Sequence, residues 1–592
     1  MQKFQRFISL ASKQNPKFLS PSFQGFQASN FQCPQQKAWS SSFFRNWDQY
    51  GNRVETVSHF LQMANELDGR NDVPGALQYY TKALENLTRY STLQSILPSH
   101  EVSLIAHIYM RKGSIEYQEG KNQEALLSFQ KARDFFAQCS GMELLTAECF
   151  ANIGSLHLEL GNCETAIKNL QMSYYMYEMR KSEEYVVKTA HALSLAFSKI
   201  GCHEESVQYL KKCIQIKVKL LGEKHKDCAN FYMQAGEAMM SAKRYKEALE
   251  SFKKALQIKV ELVGPKHPDI SKCYSQMGFA YSALGKSEDA LQSFMTSLWI
   301  KQKSLGNGSK AVLEEHINIG NLHFKIGAFE KALESFETAL KICNKSKMFE
   351  RSAFIHYKLG SVYLKLDEPN AAIKRLEEGL KIKNKRLGLD EEPSLAEFYE
   401  MFGLTYFNMR KFDKAKQFYT DSLRIYIQEN GKESEEAIRL YTSLGLTESF
   451  LNNHELSMEN YEHALKGQIA ALGEKHYKLG YTYHHIANLY YEKKNFEKAV
   501  EFYNKAIDSL AGEVNSDNVD FMEIHIDTAF AFREMKKFEE AIQNFEQAMH
   551  IAIQNFGIGY YKVTKIKKEL QILYKKEGKF EQLEKLQRLL GF

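Results

Sequence analysis

Apolar positions recur along this chain in paired helical stripes. Between Leu313 and Ile342 the sequence reads LEEHINIGNLHFKIGAFEKALESFETALKI. The stripe breaks once, at Gly327. Before the break, Gly320 stands three residues ahead of His323. After it, Ala332, Phe336 and Ala339 follow at spacings of four and three, which is one face of a helix. Two antiparallel helices are predicted. Small residues let them approach, and Phe336 fills the space beside them.

The pattern is periodic. The small site held by Ala332 recurs at Ala76, Ala125, Ala166, Ser206, Ala248, Ala290, Ala372, Ala415, Ser457, Ala499, Ala541 and, degenerate, Leu583. From Ala125 onward each step is 40 to 43 residues, and seven of the eleven are 42. An aromatic site tracks it at Tyr80, Phe129, Phe252, Phe294, Phe336, Tyr419, Tyr461, Tyr503 and Phe545, with Leu170, Leu210 and Leu376 in its place elsewhere. A glycine site precedes it at Gly113, Gly154, Gly236, Gly278, Gly320, Gly360, Gly403 and Gly445. Thirteen units are countable. Internal repetition at this period predicts an all-α solenoid of antiparallel helix pairs, and overrides the several domains that length alone suggests. Glycines at near-constant phase, Gly222, Gly264, Gly306, Gly388, Gly431, Gly473 and Gly557, are predicted to end second helices in the left-handed conformation. Pro265, Pro268 and Pro393 follow such stops. The 49-residue interval between Ala76 and Ala125 includes Pro98 and is expected to hold a loop or a lengthened second helix.

The ordered small–aromatic–small triplet after a Gly-x-x-aromatic half resembles the tetratricopeptide repeat. That family's usual period is shorter, near 34 residues. The extra length falls after the second helix, and in three repeats it carries a related string: LGEKH at 221–225, VGPKHPDI at 263–270 and LGEKHYKL at 472–479. Lengthened repeats with such linkers resemble the kinesin light chain subgroup. The resemblance implies a right-handed superhelix over residues 50–592, about thirteen repeats with the last a degenerate cap, that binds proteins. It implies no enzyme and no cofactor. It also implies that first helices line the binding surface, and that asparagines beside the glycine site hold an extended peptide by its amide edge. The candidates are Asn152, Asn318, Asn321 and Asn488, with His485 at the place of Asn318. Arg111, Lys358 and Arg439 would favour acidic ligands. Gln234, Gln276 and Met401 interrupt the asparagine pattern, so a few local contacts are expected rather than a regular ladder.

Composition changes the picture at the N-terminus. Residues 1–47 contain Lys3, Arg6, Lys13, Lys17, Lys37 and Arg45 and no acid; the first acid is Asp48. On a helical wheel Phe4, Phe7, Ile8 and Ala11 share one side. This composition predicts that residues 1–49 are a mitochondrial transit peptide, the alternative being a disordered basic segment. With +6 on the whole chain and six basic and one acidic residue in the first fifty, the remainder carries about +1. That lacks the footprint of a nucleic-acid binder. No apolar run is long enough to span a membrane. The nine cysteines form no C-x-x-C and are read as reduced core residues, with Cys213 at a second small site.

Candidate chemistry is sparse. AYSALGKS at 280–287 fits a relaxed phosphate-loop pattern, but Gly278 and Ala290 place Ala280–Leu284 inside a helix, where such a loop cannot form. His203-Glu204 and His454-Glu455 lack the second histidine of a zinc-protease helix, and His484-His485 are adjacent, so no metal site is expected. No small-molecule substrate is implied. Two readings stand. One is a mitochondrial scaffold, assembly factor or accessory subunit of a multi-subunit complex, in the matrix or on the matrix side of the inner membrane. The other is a cytoplasmic or ciliary (axonemal) adaptor like the kinesin light chain, although no heptad coiled coil precedes the repeats.

Overall fold

The computed structural model describes residues 52–70, 72–91, 99–346, 348, 351–385, 394–474, 476–511 and 519–590. Gly388, Pro98, Pro393 and the basic segment lie outside the described residues. Of those described, 85% are helical, in 26 helices from Asn52–Gly69 to Phe580–Leu590. The twenty-six helices of the described residues follow one another as thirteen pairs. The chain forms two compact units, one ending at Asn307 and one beginning at Gly308.

In each unit every helix packs on its neighbours in sequence, and the tightest pairings are those within a repeat. The cause is the small site. Ala76, Ala125, Ala166, Ala248, Ala290, Ala332, Ala372, Ala415, Ser457, Ala499 and Ala541 are fully buried, and Ser206 nearly so. Leu583 is half-buried. The core is a string of local clusters, each spanning adjacent repeats. Stability is therefore shared between nearest neighbours.

The two kinds of turn differ. Between the helices of a repeat, one residue takes positive φ. It is glycine at Gly120, Gly161, Gly201, Gly285, Gly327 and Gly578, but Lys243, Asp367, Arg410, Asn452, Lys494 and Lys536 occupy the same place at φ 58° to 61°. After the second helix the expectation of a left-handed glycine needs correction. Gly222, Gly264, Gly306, Gly431, Gly473 and Gly557 have φ 79° to 88°, yet their ψ is 157° to 172°. That extended mirror region is open essentially to glycine alone.

The linker strings start the next first helix. His225 Nδ1 accepts from the Asp227 N–H at 3.1 Å, His267 Nδ1 from Asp269 at 3.2 Å, and His476 Nδ1 from Lys478 at 3.2 Å. Elsewhere Ser309, Ser394 and Ser434 take this capping role. The AYSALGKS stretch is helical to Ala283 and turns at Gly285, as its register demands.

The eight described cysteines are free, and Cys149, Cys213, Cys228, Cys273 and Cys343 are buried. Burial pushes the Cys213 thiol up to about 12 and the Cys343 thiol up to about 11, so neither is a thiolate near neutral pH.

Candidate functional site

The expected binding residues all stand on first helices, where the repeat core leaves them half-buried or exposed. Where alternate helices touch closely, they are first helices. In the first unit Glu143–Glu159 meets Glu183–Lys199. In the second Ser352–Lys365 meets Leu395–Asn408, and Lys478–Glu492 meets both Glu435–Phe450 and Val519–Glu534. Successive repeats thus crowd together on their first-helix side. The position two residues before the glycine site forms a row there. In the second unit it reads Asn318, Lys358, Met401, Ser443, His485 and Asp527, all half-buried.

The candidate residues divide by what they touch. Asn488 belongs to the packing: its Oδ1 accepts from the Tyr503 hydroxyl at 2.5 Å. Asn65 does the same for Tyr80 at 2.6 Å. Both asparagines follow the glycine site, and both face a tyrosine at the aromatic site. Asn321, half-buried, occupies that position beside Phe336, which has no hydroxyl to donate. Asn318 is half-buried, and its Nδ2 lies 3.5 Å from Oε2 of the fully buried Glu315. Asn152, in the first unit, is half-buried at the same repeat position.

His485 is stacked on Tyr461, ring centroids 5.5 Å apart and planes 5° from parallel. Burial, with its neighbour His484 adding a smaller push, lowers its pKa to about 4. It is a neutral packing group near pH 7. The polar contact in this repeat comes from His484, whose Nε2 lies 2.7 Å from Asp527 Oδ2 of the next repeat.

The basic candidates are not equivalent. Arg439 is held in a fork by Glu400, Nε–Oε1 at 2.8 Å and Nη2–Oε2 at 2.9 Å. Hydrogen bonding to that carboxylate raises its pKa. It is therefore a clamp between repeats and not the free cation that its sequence suggests. Lys358 lies over the Phe354 ring, 5.2 Å from the centroid. Arg111, in the first unit, is exposed. The residues missed in the sequence are the acids: Glu400, Asp527, and Asp520, which accepts from Tyr481 at 2.6 Å. Each pairs some 40 residues away, a spacing that the repeat period could have supplied.

The second unit's row offers an amide at Asn318 and a lysine at Lys358, with the Asn321 amide beside it and paired charges beyond. Among the described residues no His, Cys, Asp and Glu group could hold a metal, and no helix is long and apolar enough to cross a membrane.

Two models of the tetratricopeptide repeat match, one at residues 186–227 and the other at 227–303, 312–385, 394–470 and 452–511. No curated protein matches the chain. Among solved structures, a tetratricopeptide repeat protein from Parabacteroides merdae is 18% identical, with 51% of this chain and 98% of that one aligned at a TM-score of 0.36. The apo form of RapI is 15% identical over 62% of this chain and 99% of its own, TM-score 0.41. The nearly identical kinesin-light-chain-like repeats of Podosopora anserina are 19% identical over 34% of this chain and 95% of theirs, TM-score 0.31.

Proposed function

Because this chain belongs to the tetratricopeptide repeat family, we propose that it is a protein-binding scaffold of mitochondria, an assembly factor or accessory subunit of a multi-subunit complex. One observation supports the binding role most: the half-buried row on the first helices, polar at every position but Met401, on the side where successive repeats crowd. The mitochondrial part rests on residues 1–47, basic, amphipathic and free of acids. The reading has no catalytic step.

Affinity purification with crosslinking from isolated organelles tests it. Partners should crosslink near Asn318 and Asn321. Replacing both by alanine should weaken the purified partner ten-fold or more at unchanged helicity, because an unbonded amide in a closed groove costs about 1–3 kcal/mol. Unchanged affinity would move the interface to the second helices.

The linker strings LGEKH, VGPKHPDI and LGEKHYKL favour a second reading, a cytoplasmic or axonemal adaptor resembling the kinesin light chain. Recovery with cytoskeletal motors instead of an organelle complex would select it.

A further inference from the structure

The helix Tyr561–Lys576 has six lysines and one glutamate in a scaffold whose repeats are otherwise near neutral. Val563, Ile566, Leu570, Leu573 and Tyr574 are buried. The opposite face presents Tyr561, Lys565, Lys568, Ile572, Lys575 and Lys576, all exposed. Tyr561 and Ile572 are 57% and 59% exposed, large apolar fractions for side chains ringed by lysine.

The fold neutralises the flanks of this face but not the face itself. Lys562 pairs with Glu523, and Glu569 takes Arg533 at 2.8 Å. No carboxylate of the described residues is paired with Lys565, Lys568 or Lys575. A face kept only for solubility looks different, and the next helix, Phe580–Leu590, shows how. There Glu581–Lys585 and Glu584–Arg588 alternate in sign as i, i+4 pairs at 3.0 and 2.6 Å. The lysine face contains no acid.

We propose that this face docks the protein on an anionic phospholipid surface. Lysine suits a fluid array of phosphates, because it keeps its rotamer freedom there, whereas ordering it in a fixed protein interface is costly and lysine is depleted from such interfaces. A nucleic acid would satisfy the lysines but would leave Ile572 unburied. At a bilayer, Ile572 and Tyr561 enter the headgroup boundary while the lysines reach the phosphates. Attachment would be peripheral. It does not depend on which protein the scaffold binds, so its failure leaves that reading standing.

Vesicle flotation tests this. The full-length chain would be used with Lys3, Arg6 and Lys13 changed to Glu, so that the basic N-terminal segment does not compete. Phosphatidylcholine vesicles would be compared with vesicles that also contain phosphatidylglycerol. The protein should float with the anionic vesicles only, and should be released by salt. Adding Lys565→Glu, Lys568→Glu and Lys575→Glu should weaken partition more than ten-fold without moving the thermal melt, since all three side chains are exposed. Adding Ile572→Asp instead should also weaken it, which simple charge attraction does not predict. Equal flotation of parent and triple variant, or no flotation of the parent, would overturn the proposal.

Discussion

Gly320 lies against the ring of Phe336, sixteen residues on, so closely that a Cβ at position 320 would stand 2.8 Å from the ring edge. The relationship recurs along the chain. A Cβ at Gly278 would meet Phe294 at 2.7 Å, at Gly403 Tyr419 at 2.5 Å, and at Gly445 Tyr461 at 2.6 Å. The periodic glycine is thus the floor of the periodic aromatic, and the two columns are one packing unit. Three repeats put alanine there, at Ala64 beneath Tyr80, Ala487 beneath Tyr503 and Ala529 beneath Phe545, all fully buried.

Those three repeats set the scale of the first prediction. Gly320→Ala gains about 1 kcal/mol of helix propensity and forces a ring shift that its sister repeats accommodate. It should move the unfolding midpoint little. Gly320→Leu has no such precedent and should cost near the top of the about 1–3 kcal/mol typical of overpacking. Urea unfolding of the two variants should separate them clearly. Equal midpoints would mean that the floor is loose.

The two glycine turns give a second prediction. At Gly285 the φ is 74°, and Asn452 stands at the equivalent turn with φ 59°. Gly285→Asn should therefore change stability by no more than about 0.5 kcal/mol. Gly264, at φ 82° and ψ 161°, admits no side chain comfortably. Gly264→Asn should cost about 1–3 kcal/mol. Thermal melts of the pair decide it, and a reversed order would refute the distinction between the turns.

The buried histidines predict how the protein responds to acid. Burial lowers His107, His191 and His485 to about 4. His107 meets Phe136 edge-on with centroids 4.7 Å apart, and His191 meets Phe231 at 5.3 Å. Unfolded, each would titrate near 6.5. Between about pH 6.5 and pH 4 the unfolded chain therefore holds more protons than the folded one, and stability falls as pH falls. The stabilisation is fully present above the unfolded value. Each residue contributes a slope of up to about 1.4 kcal/mol per pH unit in that window. Urea unfolding across the window should show the loss, and His191→Phe should flatten it. A flat profile would mean that these rings are solvated.

The repeat was legible in the sequence because its small and aromatic residues serve one purpose in every unit, and a shared cause leaves a period. The site was less so. Whether an asparagine faces a ligand or the core depends on the partner fifteen residues away: Tyr503 draws Asn488 inward, while Phe336 has nothing to offer Asn321. The pairing of Arg439 with Glu400 needs two repeats in place before it exists. Glycine stops reveal the sign of φ but not ψ, so the left-handed and mirror-extended ends of second helices look alike in sequence.

The final prediction concerns the basic segment. Residues 1–47 hold six positive charges, no negative ones, and an apolar stripe of Phe4, Phe7, Ile8 and Ala11. An import receptor needs the stripe. An inward-negative membrane potential pulls on the charges, by about 2.3 kcal/mol per charge per 100 mV. The repeats carry only about +1 in all, and their apolar stripes are taken up in the repeat core, so the address should lie wholly in this segment. Residues 1–47 fused to a fluorescent protein should enter mitochondria, and changing Lys3, Arg6 and Lys13 together to Glu should stop entry. Removing the segment should leave the repeats folded, since it supplies no small or aromatic packing site. A fusion that stays in the cytosol would place the adaptor reading ahead of the mitochondrial one. An imported protein that keeps Met1 would mean that the segment is retained after import and works as a basic arm against a partner.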